Sequence, residues 1–303
     1  MTLINDIFEI IPAAGYRLKA DELMSRHTTF QVGGRADIFF DAVSCVELSS
    51  VIGYCLKNNV PYTIIGNGSN ILVSDRGIRG IVISIGEGFS GIERNNNILS
   101  ARAGTKLSTL AAFAARNSLS GLEFASGIPG TLGGAILMNA GAYDHCMAEI
   151  VVSTEFLDHR LEHQKIVGQE HLFAYRFSYF MNHESIILSS QIELKPDDPH
   201  MIYSRMADLA ERRRASQPLD LPSAGSAFKR PDGSYAAKLI HDCGLRGYRI
   251  GEAQVSEKHC GFIVNLGSAN ATDVRQLFEL VRQRVADQTG IFLEPEVRFI
   301  GDW

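Results

Sequence analysis

The chain has 303 residues, 45% of them hydrophobic and 21% charged, the balance of a folded globular protein with room for two domains. Its formal net charge of -5 offers no basic excess for nucleic acid or an anionic membrane surface. The longest apolar runs are broken by glycine or polar residues, which excludes a helical membrane span and leaves no membrane partner.

Residues 1–27 read as a helical lead-in. The first twenty carry acids and no basic leader ahead of an apolar core, so no signal peptide is read there. From 28 to 196, short β-rich runs alternate with a few helices. "CVELSSVIGYCLKNN" has Val46, Leu48, Val51, Ile52 and Cys55 towards one side of a helix. "VPYTIIG" and "GIVISIG" read as buried strands, and "LSTLAAFAARNS" as a second helix. "VVSTEFLD" and "QKIVGQE" flank a turn as a hairpin. His159 and His163 fall in that hairpin, where a spacing of four does not make one face, so no metal is expected.

The proline and acids of "ELKPDDPHM" mark a break. Residues 197–303 then form the second expected domain. "YSRMADLAERRRAS" predicts a polar helix with Arg212, Arg213 and Arg214 on a solvated face, ended by Gln217-Pro218. Thr272 is placed to cap a helix whose apolar face is Val274, Leu277, Phe278, Val281 and Val285, closed by Gly290. "IFLEPEVRFIG" predicts a strand that Pro295 interrupts or holds at an edge.

The five cysteines, at 45, 55, 146, 243 and 260, are odd in number and not closely paired, which argues against a disulfide framework or a zinc site. Reduced thiols in a cytoplasm are the simplest reading. Cys260 follows His259, but chain neighbours need not meet side chain to side chain, and a structural cysteine is favoured over a nucleophile pair.

Two segments concentrate bare backbone. "IIGNGSNILVSD", residues 64–75, is a strand running into a glycine-polar turn that can aim N–H groups at a phosphate. It has neither the third glycine of a dinucleotide fingerprint nor a phosphate-loop lysine. "GIPGTLGGAILMNAGAY", residues 127–143, has five glycines and no charged side chain. The pair could hold opposite sides of a ligand with a pyrophosphate; alternatively, the glycines permit close packing of strand on strand.

Several longer motifs accompany them in one order: "TTFQVGGRAD", "IIGNGSNILVSDRGIRGIVI", "GLEFASGIPGTLGGAILMNAGAY", "AGSAFKRP", "AAKLIHDCGLRGYRIGEAQVSEKHCGFIVN" and "LEPEVRFIG". From about residue 28 to 301 the chain resembles the UDP-N-acetylenolpyruvoylglucosamine reductases, flavoenzymes of peptidoglycan precursor synthesis. The resemblance implies an α+β fold, with an FAD-binding part like that of vanillyl-alcohol oxidase and a C-terminal α+β substrate domain. It implies noncovalent FAD, NADPH as co-substrate, and UDP-N-acetylglucosamine enolpyruvate as the substrate reduced to UDP-N-acetylmuramate. Gly66, Asn67, Gly68, Ser69 and Asn70 then hold the FAD pyrophosphate from one side. Gly127, Ile128, Pro129, Gly130, Thr131, Gly133 and Gly134 approach it from the other.

The same resemblance assigns three catalytic residues. Arg176 stabilises the enolate-like carboxylate, Glu296 assists at that group, and Ser226 supplies the proton to the carbanionic carbon. Lys229, Gln254 and His259 lie in matched segments and are expected at the substrate or its diphosphate. Apart from the resemblance, Ser226 after Gly225 reads as a turn hydroxyl, Arg176 as a surface ion-pair partner, and Glu296 with Arg298 as a charge ladder on a strand. The chain departs from the family at Arg230, where asparagine is common. Its length fits the shorter type without the tyrosine-bearing insertion. Two rivals share some of these features: a flavin oxidase acting on a sugar or alcohol, and a flavin- or nucleotide-binding module without catalysis.

Overall fold

The structure, a computed structural model, describes residues 3–303 and divides into two compact units. The first holds the chain up to Lys19, Phe39–Asn67 and Val82–Arg213; the second holds Ala20–Ile38, Gly68–Ile81 and Arg214–Trp303. This division differs from the consecutive segments 1–27, 28–196 and 197–303 expected from composition. Three crossings lie inside strands, Leu18–Leu23, Arg35–Asp41 and Ile78–Ser84, and the last lies inside a helix. A continuous strand or helix carries no turn residues, so local composition does not mark where the chain changes unit. The lead-in also differs from expectation. It has one α-helix, α1 (Leu3–Ile10), but then passes through 3-10 turns and the Leu18–Leu23 strand.

In the first unit, α2 (Cys45–Asn58) starts where Ser44 accepts the N–H of Glu47 at 3.2 Å. The Glu47 carboxylate accepts the N–H of Val43 and pairs with Arg17 at 2.7 Å, which holds its pKa below the usual range. Leu48, Val51, Ile52 and Cys55 are buried, but Val46 is 76% exposed. At about 100° per residue Val46 falls well off the stripe that the other four define. Both predicted strands form, as Tyr62–Ile65 and Ile78–Ser84, and "LSTLAAFAARNS" supplies α3 (Leu107–Arg116).

The main sheet of this unit is antiparallel, in the order His163–Val167, Val151–Leu157, Ile186–Glu193, Ile98–Arg102, Ile92–Asn95. Its first pair is the predicted hairpin, with Leu157 opposite His163. The short helix α4 (Leu132–Leu137) packs on the Ile186–Glu193 and Ile98–Arg102 strands. Helix α5 (Pro199–Ser216) starts on a proline, which is tolerated at the first turn, and stops before Gln217.

The second unit is built on an antiparallel sheet in the order Ser223–Ser226, Phe262–Asn265, Ala253–Val255, Arg249–Ile250. Helices α6 (Ala236–Asp242) and α7 (Ala271–Thr289) complete it. All five predicted apolar residues of α7 are buried, and they join Phe228, Leu239, Ile240 and Val255 in one core. Gly290 closes α7 at φ 73, as expected. The N-cap is Asn270 rather than Thr272: its side chain accepts the Asp273 N–H at 2.7 Å. Thr272 lies within the helix, and its N–H and hydroxyl both donate to Asp75. The last predicted strand is shorter than its apolar run. Only Arg298–Ile300 forms, parallel to Ile71–Val73, because Pro295 lacks the N–H a ladder needs.

Candidate active site

Two stretches of bare backbone meet inside the first unit. A Cβ built on Gly66 would lie 2.5 Å from Thr131 Oγ1, so only glycine lets the end of the Tyr62–Ile65 strand come so close. Beside it, the Asn67 side-chain amide donates to the Pro129 carbonyl at 2.6 Å. The 127–134 stretch is itself anchored: Gly130 O accepts from Leu107 N–H at 3.0 Å, and Leu132 N–H donates to Thr105 O at 2.9 Å. Thr131 is buried, whereas Asn67, Gly127, Pro129 and Gly134 are exposed.

This surface suits a diphosphate. Neither 64–67 nor 127–134 contains an acid, and the groups offered are backbone amides, a threonine hydroxyl and an asparagine amide. Not every predicted contact has a spare N–H. That of Ile128 donates to Ala125 and that of Gly133 to Ala103, and a Cβ on Gly133 would sit 3.1 Å from the Ala103 Cβ. Gly133 serves close packing, and the Ile128 N–H is spent within its own turn.

The 64–70 segment is divided, because Gly68, Ser69 and Asn70 belong to the second unit. There Gly68 adopts φ 61 against the His27 carbonyl, a conformation and an approach that exclude a side chain. The Asn70 side chain donates to the Glu296 carbonyl at 3.1 Å, and Asn70 O accepts from Arg298 N–H at 3.0 Å.

Arg176 lies in the first unit, third in the reversal Ala174–Phe177, which two backbone hydrogen bonds of 3.1 and 3.2 Å close. It sits at φ 53. The left-handed region costs a non-glycine residue roughly 1–2 kcal/mol, so other contacts must fix this turn. The guanidinium carbon stands 5.1 Å from the centroid of the Tyr175 ring.

Ser226 and Glu296 lie in the second unit, far apart in sequence and on neighbouring segments. Ser226 pairs with Phe262 at the end of its strand. The next carbonyl, Ala227 O, accepts the Glu296 N–H at 2.9 Å, and Lys229 N–H donates to Glu294 O at 2.8 Å. Glu296 is therefore placed by a short antiparallel bridge rather than by the charge-ladder strand that its spacing to Arg298 suggested.

His259 borders the same place, its ring edge-on to Phe262 at 5.2 Å. Burial lowers its pKa, so the ring is neutral near pH 7. Nδ1 accepts from Gly261 N–H at 3.2 Å, which puts the ring hydrogen on Nε2 as a donor. Lys229 pairs with Glu294 at 2.5 Å, and the Gln254 amide donates to Gly247 O at 3.2 Å. Cys260 is buried, which raises its thiol pKa, in keeping with a structural cysteine.

Two residues escaped the sequence reading. Arg213 does not share the solvated face of its neighbours: Arg212 pairs with Asp208, but Arg213 is half-buried with Cδ 3.0 Å from a Cβ built on Gly127. Burial lowers its pKa. A run of three arginines hides which one turns inward. Asn139 is the second: 6% exposed, with its amide bonded to the turn that carries Arg176. A lone asparagine amid glycines gives only the cue that a polar side chain sits in an apolar stretch.

Two family models match the chain, an FAD binding domain over residues 36–163 and the C-terminal domain of UDP-N-acetylenolpyruvoylglucosamine reductase over residues 217–300. The chain is 46% identical over 314 aligned positions to a UDP-N-acetylenolpyruvoylglucosamine reductase of Agathobacter rectalis, covering 100% of this chain and 99% of that protein. It resembles the solved UDP-N-acetylenolpyruvylglucosamine reductase from Thermus caldophilus with a TM-score of 0.80 and 36% identity, over 93% of this chain and 99% of the other. It shares its fold alone with wild-type Phl p 4.0202, a glucose dehydrogenase, at a TM-score of 0.51 and 13% identity over 94% of this chain and 58% of that one. With the same α+β architecture, both matched regions and full-length identity to its relatives, the chain belongs to the UDP-N-acetylenolpyruvoylglucosamine reductase family.

Proposed function

We propose that this FAD-dependent oxidoreductase reduces the enolpyruvyl group of UDP-N-acetylglucosamine enolpyruvate with NADPH, giving UDP-N-acetylmuramate for peptidoglycan precursors. Bound FAD would supply the hydride relay from NADPH to the terminal methylene carbon of the enol ether. The exposed backbone at Asn67, Gly127 and Gly134, with the Thr131 hydroxyl, would hold the FAD diphosphate without a covalent link. Arg176 spreads its fixed positive charge over the substrate carboxylate as negative charge builds there. Glu296 hydrogen-bonds the same group, with a shared proton relieving the repulsion between two carboxylates. Ser226 gives its hydroxyl proton to the adjacent carbon and is reprotonated from water. The balance is one hydride from NADPH and one proton from solvent, added across the double bond. His259, Lys229 and Gln254 border the sugar nucleotide.

The observation that carries this reading is the bridge between Ala227 and Glu296, which brings an uncharged proton donor and a carboxylate to neighbouring segments of one unit. A flavin oxidase of the same fold has no need for that pair, and a binding module has no use for a proton donor. The five cysteines, none in a disulfide, favour a cytoplasmic setting, where NADPH and sugar nucleotides are available. The test is NADPH oxidation by the flavin-loaded protein, which should require the enolpyruvyl nucleotide and yield its lactyl ether. Rapid oxygen reduction with a simple sugar or alcohol, and none with the nucleotide, would establish the oxidase rival.

A further inference from the structure

We propose that Asn139 is a positioning residue for Arg176, fixing the turn that carries the guanidinium through two side-chain hydrogen bonds. The inference rests on the role given to Arg176 above.

Arginine is long and rotamer-rich, so its value to a reaction depends on how firmly its backbone is held. Ala174 and Tyr175 are exposed, and Arg176 adopts φ 53, a conformation its side chain disfavours. The reversal closes on itself, which sets its shape but not its place.

Asn139 supplies the place. Its Nδ2 donates to Ala174 O at 3.0 Å, and its Oδ1 accepts Ala148 N–H at 2.9 Å. Both ends of one buried amide are therefore used, one on the turn and one on a backbone the turn does not contain. Asn139 itself stands at φ 41, which asparagine tolerates better than most residues. A second tie acts beside it: the fully buried Ser178 donates its hydroxyl to Leu137 O at 2.8 Å. Both ties end on 137–139, at the C-terminal end of α4, whose first turn follows Thr131. One short helix thus joins the bare-backbone surface to the Arg176 turn, within the first unit.

Among replacements, Asn139→Asp separates the two bonds. A carboxylate can still accept the Ala148 N–H but cannot donate to Ala174 O. Asn139→Gly keeps the backbone conformation and removes both bonds. Each is made alone and combined with Arg176→Ala. The measurements are FAD content, thermal midpoint, calorimetric affinity for UDP-N-acetylmuramate, and the rates of flavin reduction by NADPH and of reoxidation by the enolpyruvyl nucleotide.

Asn139→Asp is expected to hold full FAD and be reduced by NADPH at the unmutated rate. Its reoxidation should slow on the order of tenfold to a hundredfold, the scale of a displaced catalytic group. Product affinity should fall, and neither loss should deepen when Arg176 is already alanine. Equal slowing of both half-reactions, or losses that add to those of Arg176→Ala, would show a general structural role and overturn the proposal. A slow Arg176→Ala enzyme beside a normal Asn139→Asp enzyme overturns it alone. An Arg176→Ala enzyme reoxidised at the unmutated rate overturns the role of Arg176 and this inference together. If Asn139→Asp lowers FAD content, Ser178→Ala, which loosens the second tie, is held to the same pattern of rates.

Discussion

The hydroxyl of Thr131 fills the space that any side chain on residue 66 would need, since a Cβ built on Gly66 lies 2.5 Å from Thr131 Oγ1. The remaining Thr131 atoms are 3.7 Å or more from that point, so the conflict rests on one oxygen. Gly66→Ala should therefore lose FAD on gel filtration and melt at a lower temperature. Removing the oxygen as well, in Gly66→Ala with Thr131→Ala, should recover part of the thermal midpoint. A Gly66→Ala protein with normal flavin content and midpoint would show that the strand end moves freely.

Gly130 tests the proposed diphosphate surface from its other side. Gly130→Val places a β-branched side chain on a segment whose carbonyl must still accept Leu107 N–H. The variant is expected to fold and to retain much less FAD. Full visible flavin absorbance, relative to protein, in a folded Gly130→Val sample would remove residue 130 from the cofactor surface.

Ser226 is assigned to one half-reaction only. Ser226→Ala should leave flavin reduction by NADPH nearly intact and slow reoxidation by the enolpyruvyl nucleotide by about a hundred- to ten-thousand-fold, the range of a general acid. Anaerobic stopped-flow absorbance separates the steps. A mild, equal effect on both would return Ser226 to the role of a strand-end hydroxyl.

His171 makes stability depend on pH. Nδ1 faces the Gly168 carbonyl at 2.9 Å, so it carries the ring hydrogen, and Nε2 accepts from the Thr154 hydroxyl at 2.8 Å. Thr154 in turn accepts from Ser190 at 2.7 Å. Burial lowers the His171 pKa below its ordinary value of 6.5, because it removes the water that would solvate a charged ring. On acidification below that value the unfolded chain takes up a proton that the folded chain refuses, so stability falls with pH. The thermal midpoint should drop between about pH 7 and pH 5.5, and less steeply in His171→Gln. His259, also lowered by burial, contributes with the same sign, so the slope shrinks without vanishing. An unchanged slope in His171→Gln would mean that His171 takes up its proton equally in the folded and the unfolded chain.

Where an element depends on its own residues, the sequence alone was enough. The stripe Val274, Leu277, Phe278, Val281 and Val285 predicted a helix and its buried face, and Gly290 its end, because periodicity and left-handed tolerance are local properties. The hairpin of 151–167 was legible for the same reason. The ordered motifs pointed to the family and to the residue types its chemistry needs.

What only the tertiary structure decided depends on meetings between distant segments. Ala227 and Glu296, Asn67 and Pro129, and Asn139 and Ala174 each join positions that no spacing rule connects. The N-cap moved from Thr272 to Asn270 because Asp75, from another part of the chain, claims the threonine. Four of the five unit boundaries fall inside strands or a helix, where local chemistry is continuous. Arg212 and Arg213 are adjacent and alike in sequence, yet one pairs with Asp208 and the other turns inward against Gly127. Local propensity acts through the nearest few residues, whereas burial and partner choice are set by whatever the folded chain brings alongside.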